Sequence, residues 1–263
     1  MPHIKADDIR IYYEIHGAGN QTFTMIRGLG SDLSAWSPQI PEFSKHFRTV
    51  VFDNRGAGRT DKPDGPYSIR QMAQDVNGLL QALNIQRTAL LGISMGGMIA
   101  QEFAIAYQEK LSYLILGCTT FGGPEAIHAS REILNSIQAG PDADEKTRRL
   151  QEQALFCDDT IMNHRDVITA FAETRGRFPI PQRSLALQSA ALRGHDAADR
   201  LHQIRTPTLV ITGIEDRLIP PENSRLLAEK IPGAILKQLP GGHVFMFEHP
   251  DAFNRAVIDF ARS

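Results

Sequence analysis

Cysteine is scarce in this chain. Two occur in 263 residues, Cys118 and Cys157, and neither has another Cys or a His at metal-ligand spacing. That argues against a disulfide framework and a zinc motif; the expectation is two buried free thiols in a reducing compartment and no metal. Charge of one sign is equally sparse. The 28 Lys and Arg stand against 30 Asp and Glu, a formal net charge of −2 without any block of like charge. Such a balance argues against nucleic acid or an anionic membrane surface as partner. No apolar run approaches membrane-spanning length, and no basic segment leads into an apolar core at the start of the chain. A cytoplasmic location is the expectation. Internal repeats and low-complexity tracts are missing too.

What is present is 42% apolar residues, enough for a sizeable core, and an alternation of strand and helix patterns. Residues 3–5 and 9–15 read as an edge hairpin around Asp7-Asp8. Thr22–Ile26, 49–53, Thr88–Ile93, 111–116, 208–212 and Ile235–Leu239 read as further strands, mostly apolar throughout, as in a parallel sheet covered on both faces. A helix is expected to start at Ser68, with Gln71 three residues on as a capping box. Ile69, Met72, Val76, Leu79, Leu80 and Leu83 then repeat at helical spacing. Other helices are expected within 33–47, after Ser94 to about Tyr107, over 223–230 and over 251–262, with His249 as cap and Pro250 in the first turn. From 122 to 200 the strand pattern disappears and helices broken at Gly140-Pro141 and near Pro179 and Pro181 are expected. The reading is one mostly parallel, doubly wound eight-stranded α/β sheet, residues 1–121 and 201–263. A helical cap, 122–200, is inserted after the sixth strand at the carboxyl ends of the strands, where open α/β sheets bind ligands.

The central stretch is Leu90-Leu91-Gly92-Ile93-Ser94-Met95-Gly96-Gly97. A strand runs into Gly-x-Ser-x-Gly and on into a helix, the context in which a serine becomes an exposed nucleophile. A serine needs a base oriented by a carboxylate. Asp216, three residues past Gly213, is the candidate acid over Glu215, and the segment after the preceding strand, Gly117-Cys118-Thr119-Thr120, offers no carboxylate. His243 follows Gly241-Gly242 just past the last strand. Among the nine histidines, His16, His46, His128 and His164 read as surface or turn residues, and His195 and His202 as structural. An oxyanion needs two donors; the candidates are the N–H groups of Met95, at a helix N-terminus, and Leu29, between Gly28 and Gly30.

Taken together, Gly28-Leu29-Gly30-Ser31-Asp32-Leu33-Ser34-Ala35-Trp36, Asp53-Asn54-Arg55-Gly56-Ala57-Gly58 and the serine turn resemble the α/β-hydrolase superfamily, in its 3-oxoadipate enol-lactonase and small carboxylesterase branch. The resemblance implies hydrolysis of carboxylic esters or lactones without a cofactor, under a helical cap. Two positions depart from it: Arg27 and Ala57 stand where relatives often have histidine. Arg27 is either a permanent cation beside the site or a surface side chain, and the turn at 53–58 is read as structural. Trp36, Phe121, Phe171, Phe178 and Val244 are the candidate pocket lining. The expected partner is a small ester or lactone, and self-association is open. A cofactor-free haloperoxidase or perhydrolase would use the same three residues. A non-catalytic ligand receptor could also retain them.

Overall fold

A computed structural model describes residues 2–139 and 143–263. In chain order come β1 (His3–Ala6), β2 (Ile9–His16), β3 (Thr22–Ile26), α1 (Ile40–Phe43), β4 (Arg48–Phe52), α2 (Ile69–Ala82), β5 (Thr88–Ile93) and α3 (Met95–Tyr107). Then follow β6 (Leu111–Gly117), α4 (Arg131–Gln138), α5 (Glu145–Leu155), α6 (Asp158–Asn163), α7 (Arg165–Gly176) and α8 (Gln182–Arg193). The chain closes with β7 (Thr208–Gly213), α9 (Glu222–Lys230), β8 (Ile235–Leu239), α10 (Phe245–Glu248) and α11 (Pro250–Ala261).

The eight strands form one sheet in the order β1-β2-β4-β3-β5-β6-β7-β8. The β1–β2 and β2–β4 pairs are antiparallel and every other pair is parallel. The central strands β3, β5 and β7 are buried at every residue. That explains why β5 and β7 read as mostly apolar runs, and why even the threonines of β3 are buried. One face is covered by α2 and α3, whose Met72, Val76, Leu79, Ile99 and Phe103 meet Val50, Leu90 and Leu114. The other is covered by α1 and α11, with Phe43, Phe253 and Val257 against Phe23, Leu91 and Ile211. Each fully buried side chain of this kind contributes about 1.5–3 kcal/mol, so the sheet is held by both layers together.

Local signals fix the helix starts. Ser68 Oγ accepts from Gln71 N at 3.1 Å and starts α2, a cap that contributes about 1 kcal/mol. Asp144 does the same for α5, accepting from Thr147 N at 2.8 Å. His249 does occupy the position before α11, but its side chain makes no capping bond. The short α10 is not foreshadowed by periodicity, because four residues are too few to show one.

Register decides where the site can be. Ile26 lies beside Gly92, Ile93 beside Gly117, Gly117 beside Ile211, and Gly213 beside Leu239. The segments after β3, β5, β6, β7 and β8 therefore leave the sheet at one edge. Helices α4 to α8 lie between β6 and β7, and the ends of this insertion are joined. Gly122 and Asp196 form an antiparallel bridge, and Ala197 N donates to Phe121 O at 2.9 Å. Pro179 and Pro181 fall between α7 and α8. The break expected at Gly140-Pro141 lies outside the described residues.

Candidate active site

Ser94 stands between β5 and α3 with φ 54° and ψ −125°. A non-glycine residue at such a φ carries about 1–3 kcal/mol of strain, so neighbouring bonds must hold it. Ser94 N donates to Gly117 O at 2.9 Å, and Ser94 O accepts from Thr119 Oγ1 at 2.7 Å and from Gly97 N at 2.9 Å. The glycines are needed for close approach. A methyl group on Gly92 would lie 2.1 Å from Gly96 O, and one on Gly96 would lie 2.3 Å from Ile26 O.

The two partners expected from distant segments meet the serine. His243 Nε2 lies 3.1 Å from Ser94 Oγ, and His243 Nδ1 lies 2.8 Å from Asp216 Oδ2. A carboxylate only accepts, so the imidazole proton faces Asp216 and Nε2 is left to accept from the serine hydroxyl. Asp216 is buried, and its other oxygen accepts from Leu218 N at 2.9 Å and Ile219 N at 2.8 Å. Those amides keep the acid aimed at the ring. His243 is itself held from both sides. Gly242 N donates to Glu248 Oε2 at 2.7 Å and Val244 N to Leu155 O at 3.0 Å. Cys118 sits beside this group, and burial, with Asp216 nearby, pushes its thiol well above the usual pKa. It is a protonated filler there and no rival nucleophile.

The turn after β3 lies against the serine: a methyl group on Gly28 would meet Ser94 Cβ at 3.0 Å and Oγ at 3.4 Å. Among the described residues the amides of Leu29 and Met95 have no hydrogen-bond acceptor. Met95 opens α3, where the helix dipole also favours negative charge. Two side chains support the turn. Asn54 Nδ2 donates to Arg27 O at 2.8 Å, and Gln188 of α8 accepts from Gly30 N at 3.0 Å. A nucleophile–base–acid chain beside two free amides is a geometry suited to acyl transfer. No group of three or more His, Cys, Asp or Glu side chains among the described residues is placed to hold a metal ion.

The sequence pattern of the family described as alpha/beta hydrolase fold matches residues 21–250. The chain belongs to the α/β-hydrolase family. It is 32% identical to a protein of Azorhizobium caulinodans that carries the provisional name carbamate hydrolase RutD, over 99% of this chain and 98% of that one. It is 29% identical to 3-oxoadipate enol-lactonase 2 of Acinetobacter baylyi, over 97% and 94%. Among solved structures, the enol-lactonase of Burkholderia xenovorans superposes with a TM-score of 0.88 at 28% identity, covering all of both chains. The sheet order and the helical layers are those of an α/β-hydrolase, and the chain is accordingly a hydrolase. No helix among the described residues is long and apolar enough to cross a membrane.

Five residues of this α/β-hydrolase are expected to line an acyl pocket. Trp36 and Phe121 have no exposed surface. Both are packed into the core. Trp36 packs under the Arg27 guanidinium, 4.6 Å from its ring, and Phe121 under Lys230 Nζ at 5.4 Å. Arg27 is buried as well, which removes the surface reading of that residue. Phe171 is buried edge-to-face between Phe156 and Phe247, and Val244 is buried next to His243. Phe178 is half-buried on the guanidinium of Arg59, 4.4 Å away, which also stacks on Tyr12 at 3.5 Å. Sequence reasoning missed Thr119, Gln188 and Glu248, polar residues whose partners are backbone groups far along the chain. It read the turn holding Asn54 as structural only. His195 is buried and His202 exposed, and both cysteines are free and buried.

Proposed function

We propose that this α/β-hydrolase cleaves carboxylic esters or lactones through an acyl-enzyme on Ser94. The observation that carries the reading is the continuous chain from Ser94 Oγ through His243 to Asp216, at 3.1 and 2.8 Å. His243 Nε2 takes the hydroxyl proton as Ser94 Oγ bonds to the substrate carbonyl carbon. The oxyanion is met by the N–H groups of Leu29 and Met95. Collapse breaks the carbon–oxygen bond of the leaving group, and His243 returns the proton to the departing alkoxide. Water repeats the sequence on the acyl-enzyme and releases the acid and Ser94, while Asp216 holds the imidazole tautomer. The steps need no cofactor. Helices α4 to α8 act as the cap over the acyl pocket in this reading.

The enol-lactonase and carbamate-hydrolase names of its relatives support a carbonyl substrate with a heteroatom leaving group. They also set the panel: p-nitrophenyl esters of short and long acids, lactones, and carbamates. Ester or lactone turnover is expected to exceed carbamate turnover, and Ser94→Ala to lower it by at least about 10⁴-fold. Near-normal turnover by Ser94→Ala would sink the assignment. Capture of one equivalent of ester without steady turnover would favour a receptor, and peroxide-dependent bromination a perhydrolase.

A further inference from the structure

Gln188 lies in the middle of α8, in the insertion, yet it has no exposed surface. Its amide is engaged with backbone of the sheet domain. Oε1 accepts from Gly30 N at 3.0 Å and Nε2 donates to Arg55 O at 2.7 Å. Arg55 is a fixed anchor, since its guanidinium bonds Asp75 at 2.6 and 2.8 Å and Asp8 at 2.8 and 3.1 Å.

The Gly30 N–H belongs to the peptide that follows the one carrying the Leu29 N–H. On the preceding peptide, Arg27 O accepts from Asn54. The Gly28–Leu29 peptide is thus suspended between two bonded neighbours. Among the described residues its own carbonyl accepts only a long bond, 3.4 Å, from Ser31 N. Peptides flanked by glycine rotate at little cost. The bonds to Asn54 and Gln188 therefore decide where the Leu29 N–H points, and of the two only Gln188 comes from the insertion.

Resting on the reading of Leu29 N–H as an oxyanion donor, we propose that Gln188 is a positioning residue for that donor. Helix α8 must be seated on the sheet domain before the second oxyanion donor is aligned. The cap then completes the oxyanion site as well as enclosing the substrate.

The experiment compares wild type, Ser94→Ala, Gln188→Met, Gln188→Glu and Arg183→Ala, with p-nitrophenyl acetate as substrate and phenylboronic acid as a tetrahedral-adduct inhibitor. Arg183 pairs on the surface with Asp64 at 2.6 Å and also ties α8 to the sheet domain, so Arg183→Ala controls for simple anchoring. Gln188→Met is expected to lower kcat by about 10- to 100-fold, the scale of a small misplacement of a reacting group. KM should stay within about 3-fold and the boronate affinity should fall by the same factor as kcat, because only tetrahedral species use the oxyanion donors. Arg183→Ala should change none of these.

In Gln188→Glu a protonated carboxyl can both accept from Gly30 N–H and donate to Arg55 O, as the amide does. An ionised one cannot donate. The kcat of Gln188→Glu relative to wild type should therefore rise as the pH is lowered. An unchanged kcat in Gln188→Met, or a loss confined to KM with boronate affinity intact, overturns the proposal. So does a flat pH ratio in Gln188→Glu, which is decisive even where Gln188→Met fails to fold. Turnover by Ser94→Ala at the wild-type rate overturns the acyl-enzyme reading and this proposal with it. An inactive Ser94→Ala beside an unimpaired Gln188→Met overturns the role of Gln188 alone.

Discussion

At the scale of single residues, the site depends on peptide planes as much as on side chains. The Ser94 carbonyl and the Met95 N–H are two ends of one peptide, and Thr119 Oγ1 donates to that carbonyl at 2.7 Å. The hydroxyl therefore fixes the direction of the N–H and, by polarising the unit, strengthens it as a donor. Thr119→Val keeps the shape that packs against Gly97 and removes one neutral hydrogen bond, about 0.5–1.5 kcal/mol. Steady-state kinetics should show kcat lower by about 3- to 10-fold with KM unchanged, and Thr119→Ser should restore it. An unchanged kcat would mean that the strained serine and the helix hold the peptide unaided. Sequence alone showed that Ser94, Asp216 and His243 would leave the sheet at one edge, because each follows a strand and a glycine marks the turn. Thr119 was visible only as the absence of an acid after β6. What makes it matter is a backbone oxygen 25 positions away, and no local pattern encodes that approach.

At the scale of elements, the imidazole loop and the helical insertion form one unit through Glu248 of α10. Its carboxylate accepts from Gly242 N at 2.7 Å, beside His243, and from Cys157 N at 2.9 Å, at the start of α6. Hydrogen bonds to a charged group contribute about 1.5–3 kcal/mol when buried, and less at this half-buried position. Glu248→Ala should therefore lower stability by about 1–3 kcal/mol, seen by calorimetry as a melting temperature reduced by several degrees. The kcat should fall with it as His243 loses one of its two supports. A melting temperature unchanged from wild type would show that Leu155 O and local packing suffice. The strands and the long helices were readable because apolar periodicity marks a buried face. Periodicity leaves no trace of α10, because its buried Phe245, Met246 and Phe247 span a single turn. The five insertion helices reveal little of their docking in sequence, since it combines a few apolar contacts, such as Phe171 on Phe247, with single polar ones, such as Gln188 on the backbone of Gly30 and Arg55.

At the scale of the whole molecule, the two ends of the insertion are pinned where His195 is buried. Its Nδ1 lies 3.5 Å from Glu102 Oε1, and Glu102 also takes two bonds from Arg200, at 2.7 and 2.5 Å, with Arg70 at 3.4 Å. Asp196 also faces the ring and favours its protonation, whereas Arg200 and Arg70 oppose it. Burial outweighs the attraction of Glu102 and lowers the His195 pKa from 6.5 to about 4. The folded protein therefore keeps a neutral ring where the unfolded chain takes up a proton. Stability is lost as the pH falls from about 6.5 towards 4. Glu102 acts in a separate window. Burial opposes its charge, but the bonds from Arg200 prevail and hold its pKa below 4.5, so its contribution is lost only in stronger acid. The wild type should lose on the order of 2 kcal/mol between pH 7 and 5 through His195. His195→Gln, which has no proton to gain, should show a flatter profile in urea titrations over that range. Parallel profiles for the two proteins would place the acid sensitivity elsewhere and leave the junction at 122 and 196 indifferent to protonation.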